Sequence, residues 1–286
     1  MLIKTALPLL FLLLSARCSG GDTATIPVRD RVVLERYLEH ARQHRLTSLP
    51  LHERVVAIGR FFLRVPYLSG TLDDGGPERL IVNLNEMDCV TFVDNVLALA
   101  LLDAHDDESA TRFLHNLRRL RYRDGKIDGY SSRLHYSTDW LFEMQRQGIL
   151  RVVEWEGAAL LPVNEVHYLS RHLREDTALI AGMAAVERAI NARETRYLPK
   201  GEVKTRTGQL RAGDIVLIAT TRDSLDTSHL GIAVEVDGNI HLLHASSDAR
   251  EVVISPVPLR NYLQPVRRHA GIIVARPTGD ATTKNL

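Results

Sequence analysis

The sequence predicts an α+β fold in which helices come first along the chain and an antiparallel sheet follows. Up to residue 147, apolar residues recur at the spacing of amphipathic helices. After about residue 205, the chain breaks into short runs rich in β-branched residues and separated by turn residues. These runs are DIVLIAT, HLGIAVEV, NIHLLHAS, EVVIS and GIIVARP. Helices followed by strands are typical of an α+β fold.

Five helices are expected in the first half of the chain. Residues 30–64 are rich in Leu, Val and Arg and predict two helices, broken near LTSLP. Residues 67–78 are dense in Gly and Asp and predict a loop. This loop leads into an amphipathic helix within residues 83–100, and further helices are expected over residues 108–120 and 137–147.

The first residues predict an export signal. Lys4 precedes an apolar run over residues 6–16 that is too short to span a bilayer but has the length of a signal-peptide core. We therefore expect residues 1–20 to be a signal peptide and the protein to be exported to the periplasm. Cys18 lies where a lipoprotein cysteine would, so a membrane-anchored lipoprotein is the alternative, although Arg17 is a poor fit for that processing.

The remaining chain, residues 26–280, is expected to be a single domain whose N-terminal part, residues 26–66, is helical. With 286 residues, of which 45% are hydrophobic and 25% charged, the composition is that of a globular protein with a sizeable core. No apolar run beyond the signal is long enough to cross a membrane. The formal charge of +1 supplies no basic field, which argues against nucleic acid as a partner.

Cys89 is the residue that most needs an explanation. The only other cysteine is Cys18, within the expected signal region, and an unpaired thiol in an exported chain is either deeply buried or functional. With Asp88 as the N-cap, Cys89 opens the helix. There the positive end of the helix dipole can lower a thiol pKa from ~8.5 toward ~7. We expect a reactive thiolate, and such a nucleophile needs a base.

Candidates for a base lie where two predicted strands form a hairpin. In SHLGIAVEVDGNIHLLHASS, the dipeptide Asp237-Gly238 is a strong signal for a two-residue turn. With that turn, His229 and His244 become diagonal neighbours on one face, within reach of each other. His241 points to the opposite face, and a turn one residue longer would select His241 instead.

Two other interpretations of the histidines stay open. They are satisfied surface histidines, or they bind zinc together with Cys89; the paired ligand spacing of many zinc sites is missing among these three residues, so we expect no metal. The opposite face of the first strand is wholly apolar and is expected to pack on a helix. That face consists of Leu230, Ile232, Val234 and Val236.

Several motifs occur in the same order in a known family. They are DCVTFVDNVLALA, DGYSSRLHYSTDW, GDIVLIAT, LDTSHLGIAVE and LLHASS. Over residues 67–277 the chain resembles domain of unknown function 1460 (DUF1460), a family within the NlpC/p60 papain-like cysteine peptidases and amidases. The resemblance implies a papain-like core, in which a cysteine-bearing helix packs on an antiparallel β-sheet. Carried over, Cys89 is the nucleophile, His229 the general base and His244 the polar third member.

The resemblance also implies an activity. Members of the family resemble N-acetylmuramoyl-L-alanine amidases that act on muropeptides, with a preference for the anhydro-sugar form. Peptidoglycan fragments are therefore the expected partners. A thiol nucleophile and an imidazole base suffice for hydrolysis through a thioester, so no cofactor is expected.

Candidate substrate-binding residues lie in two loops. Tyr67 resembles a tyrosine that flanks the nucleophile in related enzymes, where it can join the Cys89 backbone N–H as an oxyanion donor. Thr71 is a candidate from the same loop. In SSRLHYSTDW, aromatic rings can cover sugar faces and an arginine can pair with a peptide carboxylate. The candidates there are Arg133, Tyr136, Asp139 and Trp140; for each of them, packing of the loop for its own stability is the alternative.

The predicted function is thus a cell-wall amidase that cuts the N-acetylmuramoyl-L-alanine bond. The nearest rival is a peptidase that cuts the stem peptide between D-Glu and the diamino acid. A non-catalytic cell-wall-binding protein and an acyltransferase on the same scaffold are more distant rivals.

Overall fold

The computed structural model describes residues 24–102, 108–161, 165–173 and 176–278. The expected signal peptide, residues 1–20, and the alternative lipid-anchor site at Cys18 lie outside the described residues. Within the four described stretches, no helix is both long enough and apolar enough to cross a membrane.

The five helices predicted for the first half of the chain are confirmed. The predicted break near LTSLP is a 3₁₀ turn at Leu46–Ser48, after which Pro50 precedes the next helix. Proline at that position costs no hydrogen bond, because the first N–H groups of a helix have no partner within it. The helices are α1 (Val28–Gln43), α2 (Leu51–Phe61), α3 (Cys89–Ala100), α4 (Ser109–Arg121) and α5 (Ser137–Arg146).

Within the described residues, eight strands form one antiparallel sheet. They are β1 (Leu150–Val152), β2 (Ala159–Leu160), β3 (Arg196–Pro199), β4 (Ile215–Thr220), β5 (Thr227–Val236), β6 (Asn239–Ser246), β7 (Glu251–Ile254) and β8 (His269–Pro277). The strand order is β2-β3-β8-β4-β5-β6-β7, and β1 also pairs with β8. Strands β4 to β8 are the five runs that the sequence predicts, so the α+β class with an antiparallel sheet is confirmed.

Several shorter elements are not predicted by the sequence pattern. Strands β1 to β3 have two to four residues, too few to display a period of two. Three of the remaining helices have only four to seven residues, and the longest, TALIAGMAAVERAIN, is apolar on nearly all sides. These helices are α6 (Tyr168–His172), α7 (Thr177–Asn191), α8 (Lys200–Arg206) and α9 (Leu259–Tyr262).

The hairpin of β5 and β6 has the predicted register. Val236 pairs with Asn239 across the two-residue turn at Asp237 and Gly238. The turn residues have φ angles of 49° and 71°, and positive φ at both positions is what a type I′ turn requires. The two-residue turn, on which the choice between histidines depends, is therefore confirmed.

Both faces of the sheet are covered. On one face, α3 packs through Phe92, Val93 and Val96, all fully buried, in the same cluster as the apolar side of β5. The predicted packing of that side on a helix is confirmed for Leu230, Ile232 and Val234. The other face is covered in part by α8 and α9, through Val203, Leu259 and Tyr262. The papain-like assignment of this core stays a prediction.

Candidate active site

Cys89 opens α3 because Asp88 caps the helix. The Asp88 carboxylate accepts a hydrogen bond from Thr91 N at 2.8 Å, and the Thr91 hydroxyl accepts one from Asp88 N at 2.9 Å. This reciprocal capping box determines where the helix begins. The predicted N-cap is confirmed, and the Cys89 N–H lies at a position that has no acceptor within the helix.

The environment of the Cys89 thiol favours its neutral form. Cys89 is a free, half-buried cysteine. Burial raises the pKa of its thiol to about 12, and the neighbouring Asp88 carboxylate adds to the rise. The backbone N–H groups of Leu230, Cys89 and Val90 lie close enough to the sulfur to offset part of this rise in pKa. The predicted lowering of the thiol pKa is therefore wrong, because desolvation of the thiolate outweighs the helix dipole.

The amide that approaches the sulfur brings β5 into the site. Leu230 N belongs to the peptide bond that follows His229, so the backbone carrying the imidazole lies next to the thiol. Among the described residues, no hydrogen bond joins the Cys89 sulfur to the ring of His229 or His244. Such bonds are often long in a free enzyme and tighten when substrate binds.

The two predicted histidines form a hydrogen-bonded pair. His229 Nε2 lies 2.6 Å from His244 Nδ1, and the ring planes make an angle of 85°. Gly231 makes room for this arrangement, because a Cβ atom there would come within 2.9 Å of the His244 Cβ. The predicted position of both histidines on one face of the hairpin is confirmed.

Both imidazoles are neutral at neutral pH. Burial lowers the pKa of His229 to about 3, and positive charge on His244 or His269 would lower it further. Burial also lowers the pKa of His244 to about 4, opposed by the Asp248 carboxylate. A neutral imidazole has a lone pair, so the pair is able to accept a proton from a neutral thiol.

His241 is separated from this pair. It lies opposite Val234 in the hairpin, and its Nδ1 lies 2.8 Å from the Ser255 carbonyl oxygen. The longer turn that would have exchanged the roles of His241 and His244 is therefore excluded. No group of three or more His, Cys, Asp or Glu side chains in the described part of the chain is arranged to hold a metal ion. Metal-free and cofactor-free chemistry stays a prediction.

Tyr67 lies beside Cys89, as the sequence predicts for it. Burial raises the pKa of its phenol, and the neighbouring Cys89 and Asp88 contribute to the rise. A backbone bridge pairs Tyr67 with Met87, two residues before the cysteine. This bridge ties the loop of Tyr67 to the start of α3.

Two further rings at the site are not among the sequence candidates. Burial raises the pKa of Tyr262 to about 12, with contributions from Asp248 and Cys89. The Tyr262 ring meets that of His244 edge-on, with centroids 5.4 Å apart, and stacks on His269 at 6.2 Å. Tyr262 lies in PVPLRNYLQP, a segment without a periodicity that would connect it to the cysteine.

The surroundings of the loop candidate Arg133 favour a packing role. The Arg133 guanidinium forms ion pairs with Asp73 and Glu78, and it donates to the Leu72 carbonyl oxygen at 3.0 Å. Its side chain is buried, so these contacts occupy the group that was expected to bind a peptide carboxylate. The Thr71 hydroxyl is buried and has no hydrogen-bond partner among the described residues.

Three other candidates from SSRLHYSTDW are also buried, and the structure places Asp139 and Trp140 within α5 and Tyr136 at its N-cap. The Tyr136 hydroxyl donates a hydrogen bond at 2.6 Å, Trp140 Nε1 donates one at 3.2 Å, and Asp139 accepts one at 2.6 Å. Their partners are Glu187, Asp94 and Arg193, in that order. These internal contacts favour loop packing over contact with a sugar ring.

Asp226, which is not among the candidates from the sequence, connects the start of α5 to the histidine strand. One Asp226 carboxylate oxygen accepts hydrogen bonds from Thr138 N at 2.7 Å and from the Thr138 hydroxyl at 2.8 Å. The other oxygen accepts one from Thr227 N at 2.7 Å. Asp226 therefore holds the start of β5, two residues before His229, against the start of α5.

The fold and the site together define a class of protein, namely an α+β protein in which a helix-opening cysteine lies beside two histidines of an antiparallel hairpin. The chain belongs to the N-acetylmuramoyl-L-alanine amidase-like (AmiA-like) family, whose model matches residues 57–272. The predicted relationship to DUF1460 is confirmed. Its family and structural neighbours place the protein among the cell-wall amidases.

Three solved structures illustrate the relationship. An N-acetylmuramoyl-L-alanine amidase from Bacteroides uniformis ATCC 8492 is 36% identical, with a TM-score of 0.74 over 80% of this chain and 99% of that chain. A Bacteroides fragilis protein with the provisional name of xylanase is 38% identical, with a TM-score of 0.72 over 77% and 99%. A DUF1460 protein from Legionella pneumophila is 21% identical and shares the fold, with a TM-score of 0.63 over 87% and 96%. Comparison with curated proteins gave no significant match.

Proposed function

We propose that the protein hydrolyses the amide bond between N-acetylmuramic acid and L-Ala in muropeptides, with a preference for the anhydro-sugar form. Cys89 is the nucleophile, His229 the general base and His244 the residue that orients it. The observation that carries this proposal is the 2.6 Å contact between His229 Nε2 and His244 Nδ1, on the strand that meets the Cys89 sulfur. The named activity of the Bacteroides uniformis relative supports the choice of bond.

The histidine pair assigns a tautomer to each ring. For His229 to act as a base through Nδ1, its proton must reside on Nε2 and be donated to His244 Nδ1. His244 then carries its own proton on Nε2. The pair thereby holds the His229 ring with its lone pair free to face the thiol.

In the first half of the reaction, the Cys89 sulfur attacks the lactyl carbonyl carbon while His229 Nδ1 takes the thiol proton. Because both groups are neutral in the free protein, this proton transfer accompanies the attack instead of preceding it. The developing oxyanion is stabilised by the Cys89 backbone N–H and the Tyr67 hydroxyl.

In the second half, the His229 imidazolium donates its proton to the L-Ala nitrogen as the carbon–nitrogen bond breaks. The stem peptide leaves, and the lactyl carbonyl remains attached to Cys89 as a thioester. His229 then takes a proton from water, which attacks the thioester. The sugar acid leaves and the thiol is restored.

The stem-peptide endopeptidase uses the same groups on a different bond, so the products distinguish it from the amidase. Glycoside hydrolysis, suggested by the provisional name of one relative, uses a pair of carboxylates instead of a thiol and an imidazole. We also propose that residues 26–280 form one domain, exported to the periplasm as a free protein or as a lipoprotein attached through Cys18.

The deciding experiment is to incubate the purified protein with a defined anhydro-muropeptide and determine the product masses. We expect the intact stem peptide, beginning with L-Ala, together with the free sugar acid. A peptide that begins with the diamino acid would instead assign the endopeptidase. Transfer of the sugar acyl group to an added amine would indicate an acyltransferase, and the absence of any product would support a non-catalytic role.

Variants at Cys89 test the covalent mechanism in the same assay. Cys89→Ala should be inactive because it lacks the nucleophile. Cys89→Ser should also be inactive, because a serine hydroxyl has a far higher pKa than a thiol. Activity should survive EDTA and disappear once Cys89 has been alkylated. Loss of activity in EDTA that added zinc restores would contradict the proposed chemistry.

A further inference from the structure

A cavity lined by arginines lies at the end of the sheet that carries His229. It has a volume of about 380 Å³, and its walls come from α6, from the connection between β4 and β5, and from the residue that precedes β8. The cationic residues of the wall are Arg171, Arg222 and Arg268. Ala219 of β4 pairs with Thr227 of β5 at the end of the sheet near His229. The connection between these two strands lines the cavity, so the cavity lies at that end.

The charges of the cavity are unbalanced. Arg171 approaches Asp223 at 3.9 Å, and Asp223 is the one carboxylate that the described residues contribute to the wall. Among the described residues, no ion pair involves Arg222 or Arg268. Three guanidinium groups therefore share one exposed carboxylate, an arrangement that favours binding of an anion.

The walls are connected to one another by specific contacts. Thr221 N donates a hydrogen bond to the Arg268 carbonyl oxygen at 2.9 Å, which joins the β4–β5 connection to β8. The Arg222 guanidinium lies over the Tyr168 ring at 5.5 Å from its centroid, which joins the same connection to α6. The arginines are therefore carried by segments that the fold holds together.

A short stretch of β5 lies between the thiol and the connection that lines the cavity. The Cys89 sulfur meets β5 at Leu230, and the β4–β5 connection reaches β5 at Thr227. At ~3.3 Å per residue, this part of the strand is about 10 Å long. An extended peptide covers that distance in about three residues.

We propose that this cavity binds the free carboxylates of the second and third residues of the stem peptide, namely D-Glu and the diamino acid. Arginine suits this ligand because its planar guanidinium can hold a carboxylate with two parallel hydrogen bonds. The inference depends on the proposed function for the identity of the substrate. Binding of these carboxylates would make the protein prefer muropeptides over uncharged amides.

Binding can be measured apart from catalysis. In the Cys89→Ala protein, calorimetry would compare a stem tripeptide that has a free D-Glu carboxylate with the same peptide amidated at that group. We expect the amidated peptide to bind roughly 10- to 100-fold more weakly, the size of a lost hydrogen bond to a charged group. Arg222→Gln and Arg268→Gln, each added to Cys89→Ala, should weaken binding of the free acid and reduce its advantage over the amide.

Arg151→Gln is the matched control. Arg151 pairs with Arg276, near the opposite end of β8 from His269, so its loss should leave binding unchanged. Equal affinity for the two peptides, or no binding of either, would overturn the inference even if the wild-type protein hydrolyses muropeptides. Carboxylate-dependent binding without hydrolysis by the wild-type protein would overturn the proposed function and leave the inference standing. If Arg222→Gln does not fold, Arg268→Gln carries the test.

Discussion

His229 Nε2 and His244 Nδ1 lie 2.6 Å apart although the two residues are 15 positions apart in the chain. The turn at Asp237 and Gly238 brings them together, since it sets the register in which Val236 faces Asn239. Only one proton fits between the two nitrogens of the pair. The two rings are therefore not equivalent, and in the proposed tautomer His229 donates to His244 and presents its free Nδ1 to the thiol.

This inequality predicts an order of effects for the three histidines. His229→Ala should reduce kcat/KM the most, since loss of a general acid–base group typically costs ~10²–10⁴-fold. His244→Ala should cost less, because the base remains but loses its orienting partner. His241→Ala should leave kcat/KM nearly unchanged. The measurement is kcat/KM of the three variants on one muropeptide.

His244→Asn provides the control for orientation. An Asn oxygen can accept the proton of His229 Nε2, so this variant should be more active than His244→Ala. The stability of His241→Ala should fall by about 1 kcal/mol, because the variant lacks the contact to the buried Ser255 carbonyl oxygen. A large rate defect in His241→Ala beside a mild one in His244→Ala would contradict the assignment.

The neutral state of Cys89 predicts an alkaline profile of alkylation. Since the thiolate is the reactive form and burial raises the pKa of this thiol to about 12, iodoacetamide should react slowly at pH 7. The rate should keep rising up to at least pH 10. It would be followed by mass spectrometry in a Cys18→Ser background, so that only Cys89 is modified. A plateau below pH 7 would show a thiolate–imidazolium pair and contradict this expectation.

The buried imidazoles predict a loss of stability in acid. The pKa values of His229 and His244 are about 3 and about 4 in the folded protein, below the ordinary value of ~6.5 that they regain on unfolding. Their contribution to the free energy of unfolding is therefore present above pH 6.5 and is lost as the pH falls through 4 toward 3. The Tm of the wild-type protein should fall more steeply over this range than that of a His229→Gln/His244→Gln double variant. Parallel Tm curves would argue against buried neutral histidines.

Asp226 should stabilise the protein and position the base. Asp226→Ala leaves donors of Thr138 and Thr227 without their acceptor, and each buried unsatisfied group costs roughly 1–3 kcal/mol. We expect a lower Tm and, in protein that is still folded, a lower kcat because the start of β5 is displaced. Glu235→Gln, an exposed change on the same strand, is the control and should alter neither quantity. An unchanged Tm in Asp226→Ala would show that the hydrogen bonds of Asp226 do not stabilise the protein.

Local patterns in the sequence predict much of the framework. The five early helices, the strands β4 to β8 and the hairpin register follow from periodicity and from the turn preference of Asp237-Gly238, both of which depend on neighbouring residues. The N-cap at Asp88 is predictable for the same reason. Strands β1 to β3 cannot be predicted from local patterns, because such short strands are stabilised by their partners in the sheet.

The candidate binding residues show what local sequence patterns do not predict. Arg133 and Trp140 have side chains that suit a muropeptide, but their donors are occupied by Asp73 and Asp94 from distant parts of the chain. Conversely, Tyr262 and Arg222 lie at or near the site without any motif that singles them out. Residue type describes what a side chain can bind, whereas its position in the fold determines what it meets.

The sequence by itself determined the α+β class, the start of the cysteine helix and which two histidines share a face, because each depends on interactions between residues close in the chain. Only the tertiary structure decided the protonation state of Cys89, since its pKa is governed by burial from several elements at once. The same holds for the hydrogen bonds of Asp226 and for the cavity around Arg222, because the residues that form them come from separate segments of the chain. Desolvation and long-range contacts are properties of the packed molecule, and no stretch of sequence contains them alone.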